Sequence, residues 1–140
     1  MRRLITFDTG EKSYHLGIAH AHPNILTGGS RGRVLAARDY LDNPEAFENE
    51  TRGKTTVHGT YKEIPVTLFS TGEGTGSVSC TWPEIIEACP DKDINLIRIG
   101  TSGGYRSTQR VGDVVVTEKV IVKDAAPNPV LELLYMLGEL

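Results

Sequence analysis

The chain has 140 residues, 39% of them hydrophobic and 24% charged, with a formal net charge of -3. That is enough chain for one domain with its own core, and the acidic balance argues against a general nucleic-acid binder, which is basic as a rule. A small anionic ligand stays open, because a local arginine cluster can sit in an acidic protein. No long uncharged apolar run occurs, so no membrane span is predicted. The basic start, Met1-Arg2-Arg3, lacks the apolar core of a signal peptide. The two cysteines, Cys80 and Cys89, make no disulfide framework and pack best as small apolar groups. The default location is therefore the cytoplasm, and a single domain over 1–140 is expected.

In chain order, Asn24 to Thr27 is a short β-prone run that ends at Gly28-Gly29. Ser30 can cap a helix there, and Val34, Ala37 and Leu41 lie at helical spacing over Arg33 to Leu41. Asp42-Asn43-Pro44 predicts its end. The polar stretch Asn49 to Lys54 predicts a loop. Thr55 to Tyr61 and Ile64 to Ser70 predict two strands joined by a turn at Lys62-Glu63. A second glycine-rich loop spans Thr71 to Gly76. Thr81-Trp82-Pro83-Glu84 has the capping-box pattern, with Pro83 suited to the first turn of a helix through Ile86 to Ala88. Ile94 to Ile99 predicts a buried strand, closed by Gly100-Thr101-Ser102-Gly103-Gly104. Val111 to Val122 is rich in β-branched residues and predicts one long strand or two. A last helix is expected over Val130 to Leu140. Strands alternating with helices predict an α/β sheet with helices on both faces. In such sheets ligands bind at loops beyond the strand ends.

Two of those loops carry arginine. In Gly28-Gly29-Ser30-Arg31-Gly32-Arg33 the glycines allow a ligand close to the backbone. The helix start offers free N–H groups, and Arg33 adds a fork of donors matched to phosphate oxygens. A tight turn with two solvated arginines explains the same residues. Arg98 stands in an otherwise apolar run just before Gly100-Thr101. A buried guanidinium needs a partner, either an internal carboxylate or a bound anion; the second glycine loop and the Thr101 hydroxyl favour the anion. Composition alone makes Arg52 a surface charge and leaves Glu73 undecided. His15, His20 and His22 lie close in sequence but lack a Cys or Glu at ligand spacing, so no metal is expected.

Taken together, these residues resemble the nucleoside phosphorylases of the uridine and hexameric purine type. The similarity runs through Tyr14-His15-Leu16-Gly17-Ile18, Gly29 to Arg33, Thr51-Arg52-Gly53, Gly59-Thr60-Tyr61, and Ser70-Thr71-Gly72-Glu73-Gly74. Its most specific part is Ile97-Arg98-Ile99-Gly100-Thr101-Ser102-Gly103, and Val111-Gly112-Asp113-Val114-Val115 follows. It covers Tyr14 to Asp124. The resemblance implies a phosphorylase/hydrolase-like three-layer α/β/α sandwich and reversible phosphorolysis of a ribonucleoside. Phosphate is then the co-substrate, and no cofactor is needed. It implies phosphate binding by Gly29, Arg33, Arg98 and Thr101, with Arg33 and Arg98 as the catalytic pair. Ser102 and Gly103 would lie near the base. Arg52 would reach a neighbouring subunit's phosphate, and His15 a neighbour's ribose, within a homo-oligomer that is a dimer or a trimer of dimers.

Three departures from the family pattern stand out. Ser30 replaces an aspartate and Arg31 a proline, and both changes keep an anion-friendly cap. Gly53 stands where uridine phosphorylases carry a potassium-binding glutamate, so that ion is not expected. The family's ribose-binding Met-Glu segment and base contacts lie further along than Leu140, so the chain alone is expected to have little activity. A nucleosidase of the same fold and a non-catalytic binding module are the alternatives; the retained Arg33, Arg52 and Arg98 argue against the former.

Overall fold

A computed structural model describes residues 12–89 and 93–119. The chain forms two compact units, Met1–Thr101 and Ser102–Leu140. The strands and helices among the described residues fall in the first: β1 (Asn24–Gly28), α1 (Arg31–Arg38), β2 (Asp42–Asn49), β3 (Lys54–Tyr61), β4 (Ile64–Ser70), α2 (Gly74–Ala88) and β5 (Asn95–Ile99). They build a five-stranded sheet in the order β2-β3-β4-β1-β5. β1 runs parallel to both β4 and β5, while β2, β3 and β4 pair antiparallel.

Alternation along β4 divides the core. Phe69 packs with Leu16, Ile18, Ala21, Ile25, Ile85 and Cys89 on one face, whereas its neighbour Leu68 packs with Val34 and Val57 on the other. Helix α2 therefore covers one face through Ile85, and α1 covers the opposite face through Val34. This is the expected α/β/α layering. Phe69 is fully buried, and removing such a side chain from water stabilises the fold by ~1.5–3 kcal/mol.

Several local expectations need correction. Asp42-Asn43-Pro44 lies past the end of the helix, but it also begins an unexpected strand, β2, which extends to Asn49. Asn43 takes a left-handed φ of 49° and the register slips between Asp42 and Glu45. A bulge on an outer strand is where a proline without an N–H is tolerated. The loop then shrinks to 50–53, where Gly53 takes a φ of 60°. Helix α1 starts at Arg31 because Ser30 accepts from the Arg33 N–H, and it stops at Arg38 rather than Leu41.

Helix α2 begins at Gly74, well before the expected start, so Pro83 lies in its interior. Thr81 caps nothing; its hydroxyl donates to the Ser77 carbonyl at 3.2 Å, one turn back. β5 is not buried: its five residues are all exposed, since among the described residues it pairs only with β1. In the second unit, residues 102–119 contain turns and no strand, contrary to the reading of Val111 onward. Gln109 accepts there from the Tyr105 and Arg106 N–H groups, at 2.8 and 3.0 Å. Residues 120–122 and the expected helix Val130 to Leu140 lie outside the described residues.

Candidate functional site

The parallel register aligns Gly28 with Ser70 on one side and Ile99 on the other. Strands β4, β1 and β5 thus end level, and the loops after them gather at one edge of the sheet. The first two loops are tied together. The Thr71 and Gly72 N–H groups donate to the Gly28 and Gly29 carbonyls at 2.9 and 3.0 Å, continuing the ladder past the strand ends.

Arg33 and Arg98 converge on this edge. A side chain at Gly29 would place its Cβ 3.6 Å from one Arg98 Nη and 3.9 Å from one Arg33 Nη. The hydrogen of Gly29 leaves that space open between two guanidinium groups. Gly28 and Gly100 make room for the same arginines: a Cβ would meet Arg33 Cδ at 3.2 Å and Arg98 Nη1 at 3.1 Å, respectively.

Arg98 departs from expectation in being exposed, so burial does not force a partner upon it. The stronger observation is the convergence itself. Among the described residues the ion pairs are His15–Glu84, Arg31–Glu48 and Arg38–Asp39, and neither Arg33 nor Arg98 is held by a carboxylate. Two like charges directed at one small space repel unless an anion lies between them. Thr101 follows β5 and is exposed; Ser102 and Gly103 open the second unit and are exposed as well.

His15 and Arg52 form a separate group. The Arg52 guanidinium sits over the Tyr14 ring, 4.3 Å from its centre, a cation–π contact. The Asn49 amide donates to the Tyr14 and His15 carbonyls at 2.9 and 3.1 Å. Arg52 is exposed yet held in place by this contact.

The sequence assigns Glu84 to a capping box; the structure gives it another task. Its carboxylate is 2% exposed and accepts from the His15 N–H, the Leu16 N–H and His15 Nδ1, the last at 2.6 Å. Because a carboxylate only accepts, His15 Nδ1 carries the proton of this bond. The one sequence signal for this role is a charge among Trp82, Ile85 and Ile86, and its partner stands 69 residues away.

The expected histidine neighbourhood also changes. His15 belongs with Glu84, while His20 and His22 gather around His58 on β3, with ring centres 4.7 and 5.4 Å from it. Burial, reinforced by His20 and His22, lowers the His58 pKa to about 4. Burial also lowers that of His22, followed by the effect of His20. Among the described residues no group of three or more His, Cys, Asp or Glu side chains is arranged to hold a metal ion, and no helix is long and apolar enough to cross a membrane.

A sheet with helices on both faces, its glycine-lined edge carrying Arg33 and Arg98, defines an α/β protein. The family model described as the phosphorylase superfamily matches residues 23–132, and the chain belongs to that superfamily. It is 35% identical over 107 residues to a DeoD-type purine nucleoside phosphorylase of Clostridium perfringens, covering 74% of this chain and 44% of that protein. A DeoD-type purine nucleoside phosphorylase of Listeria monocytogenes is 38% identical over 94 residues, 67% of this chain and 39% of its own length. Among solved structures, a uridine phosphorylase of Phytophthora capsici superposes with a TM-score of 0.62 at 31% identity, covering 69% of this chain and 34% of that one. A uridine phosphorylase of Vibrio fischeri gives 0.61 at 25% identity, with coverages of 69% and 40%. The chain thus spans less than half the length of these relatives.

Proposed function

We propose that this chain is the phosphate-binding portion of a nucleoside phosphorylase, which converts a ribonucleoside and inorganic phosphate to a free base and ribose 1-phosphate. The observation that carries the reading is the pair Arg33 and Arg98, directed at the open space beside Gly29 with no carboxylate partner among the described residues. The Gly29 backbone and the Thr101 hydroxyl complete the phosphate contacts. Arg33 and Arg98 hold the dianion beneath the sugar and offset its charge. As the glycosidic bond breaks, the electron pair leaves with the base, and a phosphate oxygen forms the new bond to C1′ of the cation-like sugar. No cofactor takes part.

His15 and Arg52 act on a neighbouring copy in this reading, His15 toward the ribose and Arg52 toward the phosphate. Their shared anchorage at Tyr14 and Asn49 fits a paired role. A dimer, or a trimer of dimers, is the working assembly. Ser102 and Gly103 lie near the base, 1–140 acts as the N-terminal portion of one domain, and the enzyme works in the cytoplasm. A nucleosidase, which uses water, is disfavoured because hydrolysis requires no clamp of two unpaired arginines.

The test supplies the purified chain with uridine, adenosine or inosine and analyses the products. Base release that scales with phosphate and yields ribose 1-phosphate supports the reading. Release at the same rate without phosphate, with free ribose as product, contradicts it and favours the nucleosidase.

A further inference from the structure

Lys54 opens β3 and is only 9% exposed, an uncommon place for an ammonium. Among the described residues it faces no carboxylate in an ion pair. Its Nζ donates instead to the Thr71 carbonyl at 2.5 Å and to Ser77 Oγ at 2.8 Å. Ser77 Oγ donates in turn to the Thr71 carbonyl at 2.6 Å. Lys54 thereby joins the second glycine loop to the first turns of α2. The same loop reaches the first one through Thr71 N–H to Gly28 and Gly72 N–H to Gly29. Gly72 is constrained from both sides: its φ is 80°, and any Cβ would collide with Ser77 and with the Lys54 ammonium. Its carbonyl forms the third wall of the space beside Gly29, 3.4 Å from where a Cβ would stand. In sequence Lys54 follows Arg52 by two residues, so one short segment serves both groups of the site.

We propose that Lys54 is a positioning residue for the phosphate site: its ammonium clamps the Thr71-Gly72 loop against the Gly28-Gly29 loop and adds a fixed positive charge beneath the anion. This rests on the phosphate reading of Arg33 and Arg98. Retaining a desolvated charge is costly unless its hydrogen bonds or its field are used. Burial pushes the Lys54 pKa below its ordinary value, with a smaller opposing effect from Cys80.

The test compares Lys54→Met and Lys54→Gln with the unaltered chain, using inorganic phosphate as ligand and amide hydrogen exchange as a second readout. Methionine keeps the length of the stem without donors or charge. The Ser77 hydroxyl still satisfies the Thr71 carbonyl, so the fold is expected to survive. K54M should weaken phosphate binding about tenfold or more, the loss expected for charge-assisted bonds. It should also speed exchange at the Gly72 amide without a matching change across β3 and β4. K54Q keeps a donor without the charge and should recover part of the affinity. Unchanged phosphate affinity and unchanged Gly72 exchange in K54M would overturn the proposal. If the unaltered chain binds no phosphate, the reading of Arg33 and Arg98 fails, and exchange at Gly72 still decides whether Lys54 holds the loop.

Discussion

Substituting glutamine for Glu84 tests whether the N-terminal segment is held as described. The Glu84 carboxylate accepts from two backbone N–H groups and one ring N–H, with Oε1 on His15 Nδ1 at 2.6 Å and Oε2 on the Leu16 N–H at 2.9 Å. Glutamine has one oxygen, so its amide NH2 must face one of these donors in either orientation. That leaves one buried donor unmet and reduces the other bonds to neutral strength. A charge-assisted bond is worth ~1.5–3 kcal/mol against ~0.5–1.5 for a neutral one, and release of a buried charge returns part of the loss. The net cost works out at ~2–4 kcal/mol. In a chain of this size that lowers the melting temperature by roughly 10 °C.

Urea denaturation of E84Q and of His15→Ala, followed by circular dichroism, measures it. H15A removes the ring bond but leaves both backbone N–H groups satisfied, so it should cost ~1.5 kcal/mol, the low end for a bond to a charged group. The double variant should fall short of the sum, because the two changes share one bond. If E84Q unfolds within ~0.5 kcal/mol of the unaltered chain, the range of an ordinary surface change, the Glu84 anchor is refuted.

Acid should weaken the fold through His58. Its folded pKa of about 4 lies below the ordinary 6.5, so the unfolded chain takes up the proton first. The neutral imidazole therefore stabilises the fold above pH 6.5, and that contribution is lost as pH falls toward 4, to a total of ~3 kcal/mol. His22 acts in the same direction, and Glu45 stands opposite His58 in the β2–β3 pair. Urea midpoints measured from pH 7 to pH 4 should fall in the chain and flatten in His58→Phe; equal slopes would exclude His58 as the cause. Sedimentation at micromolar concentration should show a dimer or larger, and Arg52→Ala should weaken phosphate binding in that assembly. A clean monomer would count decisively against action across an interface.

Much of the central sheet was legible because β-prone residues cluster along its strands, a local property. The runs over β1, β3 and β4 bury residues on both faces, and Ser30 caps α1 with the residue chemistry a cap requires. The two glycine loops and Arg98 were legible as residues, and the structure adds that Arg33 and Arg98 meet beside Gly29. β2 was hidden because Asn43-Pro44 signals a break, and only its outer position in the sheet lets a bulge absorb the proline. The start of α2 was hidden by Gly74 and Gly76, poor helix formers whose conformation is set by packing rather than propensity. Glu84 was unreadable in its true role, since nothing local points a helix carboxylate at a loop 69 residues earlier. The exposure of β5 escaped the apolar pattern for a similar reason: burial depends on what stands beside a strand, which its own residues do not record.

Isothermal titration of inorganic phosphate into the unaltered chain, Arg33→Ala, Arg98→Ala and the double variant tests the central claim most directly. Each single change should cost ~1.5–3 kcal/mol, a loss of roughly ten- to a hundredfold in affinity. The double variant should deviate from additivity, because both guanidinium groups address one anion. Phosphate affinity that stays the same in Arg33→Ala and Arg98→Ala would contradict the account, for it would place the anion somewhere other than the space beside Gly29.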